Sequence, residues 1–278
     1  MKAKRFHVNL IIYIVLILLS AVFVFPVLLV LLNSFKNKLY ISTTPFALPD
    51  SVSFVGLKNY TDGLTKIHFL NSIGYSLFIT VVSVGLIVLF CSMAAWMITR
   101  VKGVLSNILY YMFIVSMVVP FQMVMYTMTK IANMTHLDNF VGITILYLGF
   151  GAGMAVFMFS GFVKGVPLEL EEAALIDGCS PVQMFFKVVF PIMKPISITI
   201  AILNAMWIWN DFLLPYLVIG TKYRTIPVAV QYLKSGYGSI DYGHMMAVII
   251  VALIPIVVFY FACQKYIIEG IVSGAVKG

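Results

Sequence analysis

Charge is what this sequence has least of. Lysine and arginine number 18 and aspartate and glutamate 10 in 278 residues, so about 10% of the chain is charged against 62% hydrophobic, with a mean hydropathy of +1.05. A water-soluble domain needs roughly a quarter charged residues, so composition excludes one and leaves an integral membrane protein. Cysteine is scarce too. Cys91, Cys179 and Cys263 are scattered without C-x-x-C spacing, which supports neither a disulfide framework nor a zinc site and leaves three small buried apolar side chains. No G-x-x-x-x-G-K-[ST] phosphate loop occurs, so the chain is expected to hydrolyse no ATP. His7, His68, His136 and His244 are dispersed, with neither H-E-x-x-H nor G-x-S-G in the sequence, so an enzyme is not expected and each histidine reads as an interfacial or packing residue. The net charge of +8 is not gathered into a basic run interleaved with aromatics; it suits an anionic leaflet and argues against nucleic acid. No internal repeat is apparent, which counts against secondary transporters built from inverted repeats.

Long apolar runs are plentiful. They fall at about 8–33, 69–99, 104–129, 139–163, 195–219 and 243–263, each long enough for a helix across a ~30 Å hydrocarbon layer, and Asp211 is the single acidic or basic residue inside them. The fold class expected is all-α with six transmembrane helices. The first run follows Lys2, Lys4 and Arg5 but exceeds an h-region of about 7–15 residues and lacks a small-x-small exit, so it reads as an uncleaved span. The basic cluster then lies in the cytoplasm, and six spans return the C-terminus to the same side, with ten Lys and Arg inside and eight outside.

Between the first two spans, residues 33–68 contain Pro45 and Pro49 and an amphipathic stretch around Val55, Leu57, Tyr60 and Leu64, predicting an outer loop with a short helix. The tight Arg100–Gly103 turn predicts that the second and third spans are antiparallel neighbours. Residues 130–138 and 220–243 read as further outer connections. Pro26, Pro120, Pro215 and Pro255 and the glycines at 149, 151, 153, 161 and 165 fit bends and close helix packing.

The most distinctive stretch breaks the apolar pattern between the fourth and fifth spans. Pro167 suits the first turn of a short helix, and Glu169, Glu171 and Glu172 complement its positive N-terminus. Gly178 can take the left-handed conformation that ends it. Ser180-Pro181 then reads as cap and first-turn proline of a second short helix reaching about Val189. Ala173 and Ala174 present little side chain, so another surface can approach the helix backbone closely.

Glu172-Ala173-Ala174, then Gly178 after three intervening residues, then Val188-x-Phe190-Pro191 resembles the EAA loop of the membrane subunits of binding-protein-dependent ABC importers, with Val and Phe where Ile and Leu are more usual. Gly56-Leu57-Lys58-Asn59-Tyr60, Phe69-Leu70-Asn71-Ser72, Trp209-Asn210-Asp211-Phe212 and the run from Glu269 to Gly278 are similar to the carbohydrate-uptake group, in particular its MalG-type subunits. The resemblance covers nearly the whole chain. It implies a type I importer permease (MetI/MalG-like) fold: a first helix and outer loop over 1–68, and a permease core over 69–278 with an EAA loop at 164–194 and a cytoplasmic tail at 264–278.

The resemblance also implies a function. The chain would be the permease subunit of an ATP-driven sugar (oligosaccharide) importer in a bacterial plasma or inner membrane, multi-pass with both termini cytoplasmic. Its partners would be a homologous second permease, two cytoplasmic ATPase subunits that carry ATP and Mg, and an extracytoplasmic sugar-binding protein; no cofactor or metal is expected on this chain. A polyol or glycerol-phosphate permease of the same group is the nearest alternative, and an ion-coupled secondary transporter a more distant one. Glu172, Ala173, Ala174 and Gly178 match the coupling motif, and helical adjacency extends the docking patch to Glu171, Leu175 and Asp177. The tail, with Gly274, Lys277 and Gly278, is either frayed or runs along the ATPase interface. The loop at 220–243, with Tyr223 and Tyr237, is either a connector or a contact for the binding protein. Asn204, Trp207 and Asp211 share a helix face suited to sugar hydroxyls and an apolar sugar face, while the competing reading, which is preferred, has Asn210-Asp211 capping a helix break ahead of Pro215.

Overall fold

The computed structural model describes residues 2–220, 222–233 and 241–275, with side chains over 9–266 of those ranges. Among the described residues the regular structure is helical: α1 Lys2–Ser34, α2 Lys38–Thr43, α3 Lys58–Lys66, α4 Phe69–Arg100, α5 Val104–Val118, α6 Phe121–Met134, α7 Gly142–Val163, α8 Glu169–Ile176, α9 Pro181–Met184, α10 Phe190–Ile192, α11 Lys194–Asn210, α12 Leu213–Val218, α13 Ile226–Gln231 and α14 Tyr242–Ala275. A π-helical turn, Phe185–Val189, joins α9 to α10. It widens the helix just ahead of Pro191, whose ring would otherwise press on the carbonyl four residues back.

Four helices are long and apolar enough to cross a bilayer unaided: Asn9–Ser34, Phe69–Arg100, Gly142–Val163 and Tyr242–Tyr266. Two further crossings come only as bent helix pairs: the first falls on the expected run 104–129, and the second begins ahead of the expected run 195–219, which itself breaks after Asn210. Val104–Val118 and Phe121–Met134 meet at 107°, and Pro181–Ile192 meets Lys194–Asn210 at 76°. At the first bend Pro120 lacks an N–H and forces Val119 into an extended conformation (φ −76°, ψ 112°), so a run that reads as one span in sequence turns sharply. Pro26 and Pro255 lie within unbroken helices. The last helix continues to Ala275, so the segment expected as a cytoplasmic tail from 264 is helical over most of its length: glycine costs a helix only ~1 kcal/mol, and no proline intervenes. Gly274 lies in this helix; Lys277, Gly278 and Tyr237 lie outside the described residues.

The chain divides into two compact units. The first takes residues 1–69 and 229–255. In it, Asn59 Nδ2 donates to the carbonyls of Ser34 (2.8 Å) and Lys36 (2.9 Å), and the Ser34 and Tyr60 hydroxyls lie 2.6 Å apart, so α3 folds back on the end of α1. Lys36 is fully buried with Nζ donating to the Thr44 carbonyl at 2.9 Å; desolvation holds its pKa below the ordinary lysine value, against the charge of Asp50. His244 joins a polar cluster with Asp62, Lys66 and Asp241 in place of the lone packing role expected of it.

The second unit takes residues 70–228 and 256–278, and its core gathers Ile79, Ile87, Tyr147, Val156, Phe159, Phe185, Met193, Ile200 and Leu214. Here α5 packs most extensively on α7, and its contact with α4, the neighbour expected of it, is slight by comparison. The reason is steric. A Cβ at Gly153 would lie 2.7 Å from the Phe113 carbonyl oxygen, Ser116 Oγ and Met117 Cγ, so α7 accepts α5 backbone where any side chain would hold it off.

Candidate functional site

The hairpin forms as a helix, turn and capped helix. Gly178 takes φ +79° and the Cys179 N–H bonds back to the Ala174 carbonyl at 3.0 Å, closing α8. The Ser180 side chain accepts from the Gln183 N–H while the Gln183 side chain accepts from the Ser180 N–H, a reciprocal capping box with Pro181 in the first turn. Pro167 falls just before the helix, outside its first turn.

The hairpin is anchored by a residue expected on its outer face. Glu171 is only 4% exposed. Its carboxylate accepts from Arg100 Nε at 2.8 Å and from Trp96 Nε1 at 3.0 Å, two donors one turn apart on α4, while Arg100 Nη2 also donates to the Val166 carbonyl at 2.9 Å. The Trp96 ring packs 5.5 Å from that of buried Phe185, so the same tryptophan grips both halves of the hairpin. Ala174, one turn on from Glu171, is buried with it. Glu171 and Ala174 therefore belong to the base of the hairpin and leave the expected docking patch, because helical phase turns them toward α4 and the core. Glu172, Ala173, Leu175, Asp177 and Gly178 are exposed, with Leu170, Ile176 and Val182 beside them. The usual polarity is inverted: a carboxylate faces the protein and leucines face outward.

Of the expected pathway residues the fold keeps Trp207 and Asp211 together and sets Asn204 apart. Asp211 ends α11 in an extended conformation (ψ 124°), and its Oδ1 accepts from the Leu213 N–H at 2.9 Å, so it caps the break before α12. Its Oδ2 accepts from the hydroxyl of Tyr147 at 3.0 Å, and the Tyr147 ring stands edge-on to Trp207 at 5.6 Å. Tyr147, fully buried on α7, thus joins Trp207 to Asp211, and sequence reading passes over it as one aromatic in an apolar span. Asn204 stands apart from this trio: it is fully buried, donates back to the Ile200 carbonyl at 2.9 Å and lies over Gly151, so it lines no open route in this conformation. Tyr223 is half-buried against the rings of Tyr75 and Phe140, which removes it as a freely presented contact.

Residues 87–272 match the family described as binding-protein-dependent transport system inner membrane component. The chain belongs to that family. This inner membrane component is a multi-pass membrane protein, and the match spans both the hairpin and the Tyr147–Asp211 region. It is 39% identical over 262 residues to the probable starch degradation products transport system permease protein AmyC of Thermoanaerobacterium thermosulfurigenes, covering 94% of each chain. It is 36% identical to the multiple sugar-binding transport system permease protein MsmG of Streptococcus mutans, covering 95% of this chain and 96% of that one. Its fold is similar to a chain of a bacterial ABC transporter involved in the import of the acidic polysaccharide alginate, with a TM-score of 0.78 over 96% of this chain and 98% of the other at 19% identity. That likeness extends the inner membrane component's MetI-like fold to nearly its whole length.

Proposed function

We propose that this chain is one of two homologous permease subunits of an ATP-driven oligosaccharide importer, with both termini and the α8–α9 hairpin in the cytoplasm. Two ATPase subunits supply ATP and Mg chemistry, and an extracytoplasmic binding protein delivers the sugar. The observation that carries the reading is full-length likeness to relatives named as permeases of sugar-transport systems. The coupling role rests on the hairpin: exposed Leu170, Leu175, Ile176 and Val182 beside Glu172 and Asp177 form a mixed apolar and acidic surface of the kind that docks a partner. Because Glu171 fixes the base to α4, force applied to that surface is delivered to a transmembrane helix and not dissipated in a loop.

The test is site-directed crosslinking in the assembled complex, in a background without the native cysteines. Ala173→Cys should capture the ATPase subunit and Ala174→Cys should not, since only the first is exposed. ATPase assays with candidate sugars and the binding protein then identify the ligand. Uptake driven by a sodium or proton gradient with no ATPase bound would overturn the proposal.

A further inference from the structure

The end of the second unit that carries the hairpin also holds a polar cavity of about 250 Å³ that the transport reading does not use. Lys102 and Lys164 contribute from the turn after α4 and from the end of α7, and none of the lining residues is acidic. Lys164 Nζ is held 5.3 Å from the centre of the Tyr110 ring, another wall of the cavity. Ser160 lines it as well; only 1% exposed, its Oγ has no hydrogen-bond partner. Gly103, the N-cap of α5, offers no side-chain cap, so first-turn N–H groups of a 15-residue helix stand open beside the two lysines. An unspent buried hydroxyl, two ammonium groups and a helix N-terminus together specify an anion with several acceptor oxygens.

Asn107 extends the site. Besides the polar cavity it lines an apolar groove of about 650 Å³ running along α5 past Ile108, Tyr111, Met112 and Val115, all four of them exposed apolar side chains. A free anion has no use for that groove, whereas a molecule with a phosphate head and acyl chains fills both. We propose that this is a binding site for an anionic phospholipid, its phosphate against Lys102, Lys164, Ser160 Oγ and the start of α5, and a chain along the groove.

The test is native mass spectrometry of the assembled, detergent-purified complex titrated with phosphatidylglycerol or phosphatidylcholine, with inorganic phosphate as a separate arm. The wild-type complex should retain phosphatidylglycerol preferentially, and Lys102→Ala/Lys164→Ala should weaken retention about 25-fold, taking about fivefold per lysine. The Lys102→Arg/Lys164→Arg pair should keep it. If the double alanine variant does not assemble, Lys102→Ala alone, at an exposed position, should show the single step of about fivefold. Equal retention by wild type and either alanine variant overturns the proposal. So does displacement of the lipid by millimolar inorganic phosphate, which would assign the cavity to a free anion, or an absence of lipid because the partner subunit covers the groove.

Discussion

Glu171 illustrates how one residue decides what a short element can do. Its side chain is 6% exposed and that of Arg100 19%, so the pair is largely out of water and each charge depends on the other. Removing one partner of a buried pair costs about 3–5 kcal/mol because the survivor is left uncompensated, whereas replacing both with apolar groups is far milder. Arg100→Ala should therefore destabilise the purified complex by that amount in thermal unfolding, and Arg100→Met/Glu171→Met should recover much of it. Asp241 makes the corresponding case in the first unit. Burial alone would raise its pKa, but hydrogen bonds from Lys66 (3.1 Å) and His244 and their charges outweigh this and hold it below the ordinary value of 3.8. A depressed carboxylate contributes stability that is present above its unfolded pKa and lost as pH falls through its folded pKa. Thermal stability should thus fall as pH drops below about 4, and Asp241→Asn should flatten that dependence while lowering stability at neutral pH. Sequence shows these carboxylates but not their partners, because Arg100 and Trp96 lie 71 and 75 residues from Glu171 and Lys66 lies 175 from Asp241.

At the scale of elements, the hairpin was legible and its phase was not. Gly178, Ser180 and Pro181 announce a turn and a capped restart through chemistry confined to a few residues, and the structure forms both. An eight-residue helix with three acids and two leucines carries too little periodicity to say which side is buried, and hydrophobicity read naively would point Leu170 and Leu175 inward. A Cβ at Gly178 would meet nothing within 4 Å, so its requirement is purely conformational. Gly178→Val should cost about 1–2 kcal/mol locally and reduce sugar-stimulated ATPase activity with membrane insertion unchanged; Gly178→Asn, which tolerates the left-handed region, should retain more activity. Gly153 is the opposite case, a close approach with no unusual dihedral. Gly153→Leu should overpack the contact of α5 with α7 and cost about 1–3 kcal/mol, read as lower thermal stability, while the same change at Gly149, where a Cβ meets open space, should be tolerated. The bend at Pro120 likewise follows from one residue, yet the apolar run on either side is uninterrupted in sequence and reads as a single span.

For the whole molecule, six apolar runs announce six crossings, and among the described residues the structure supplies four unbroken helices and two bent pairs. Orientation is the open quantity that the proposed mechanism fixes. A membrane-impermeant thiol reagent should modify Ala173→Cys only from the cytoplasmic face and Thr61→Cys, exposed on α3, only from the other; the reverse pattern would place the hairpin away from any ATPase. By itself the sequence determined that the chain lives in a bilayer, that it carries a turn-and-restart hairpin between apolar spans, and that it holds no phosphate loop of its own, since hydropathy, backbone turn chemistry and short motifs are local properties. Tertiary structure alone decided that Glu171 faces inward, that Tyr147 joins Trp207 to Asp211, and that α5 packs on α7, because a buried polar group selects its neighbours by where hydrogen-bond partners and empty space lie in three dimensions.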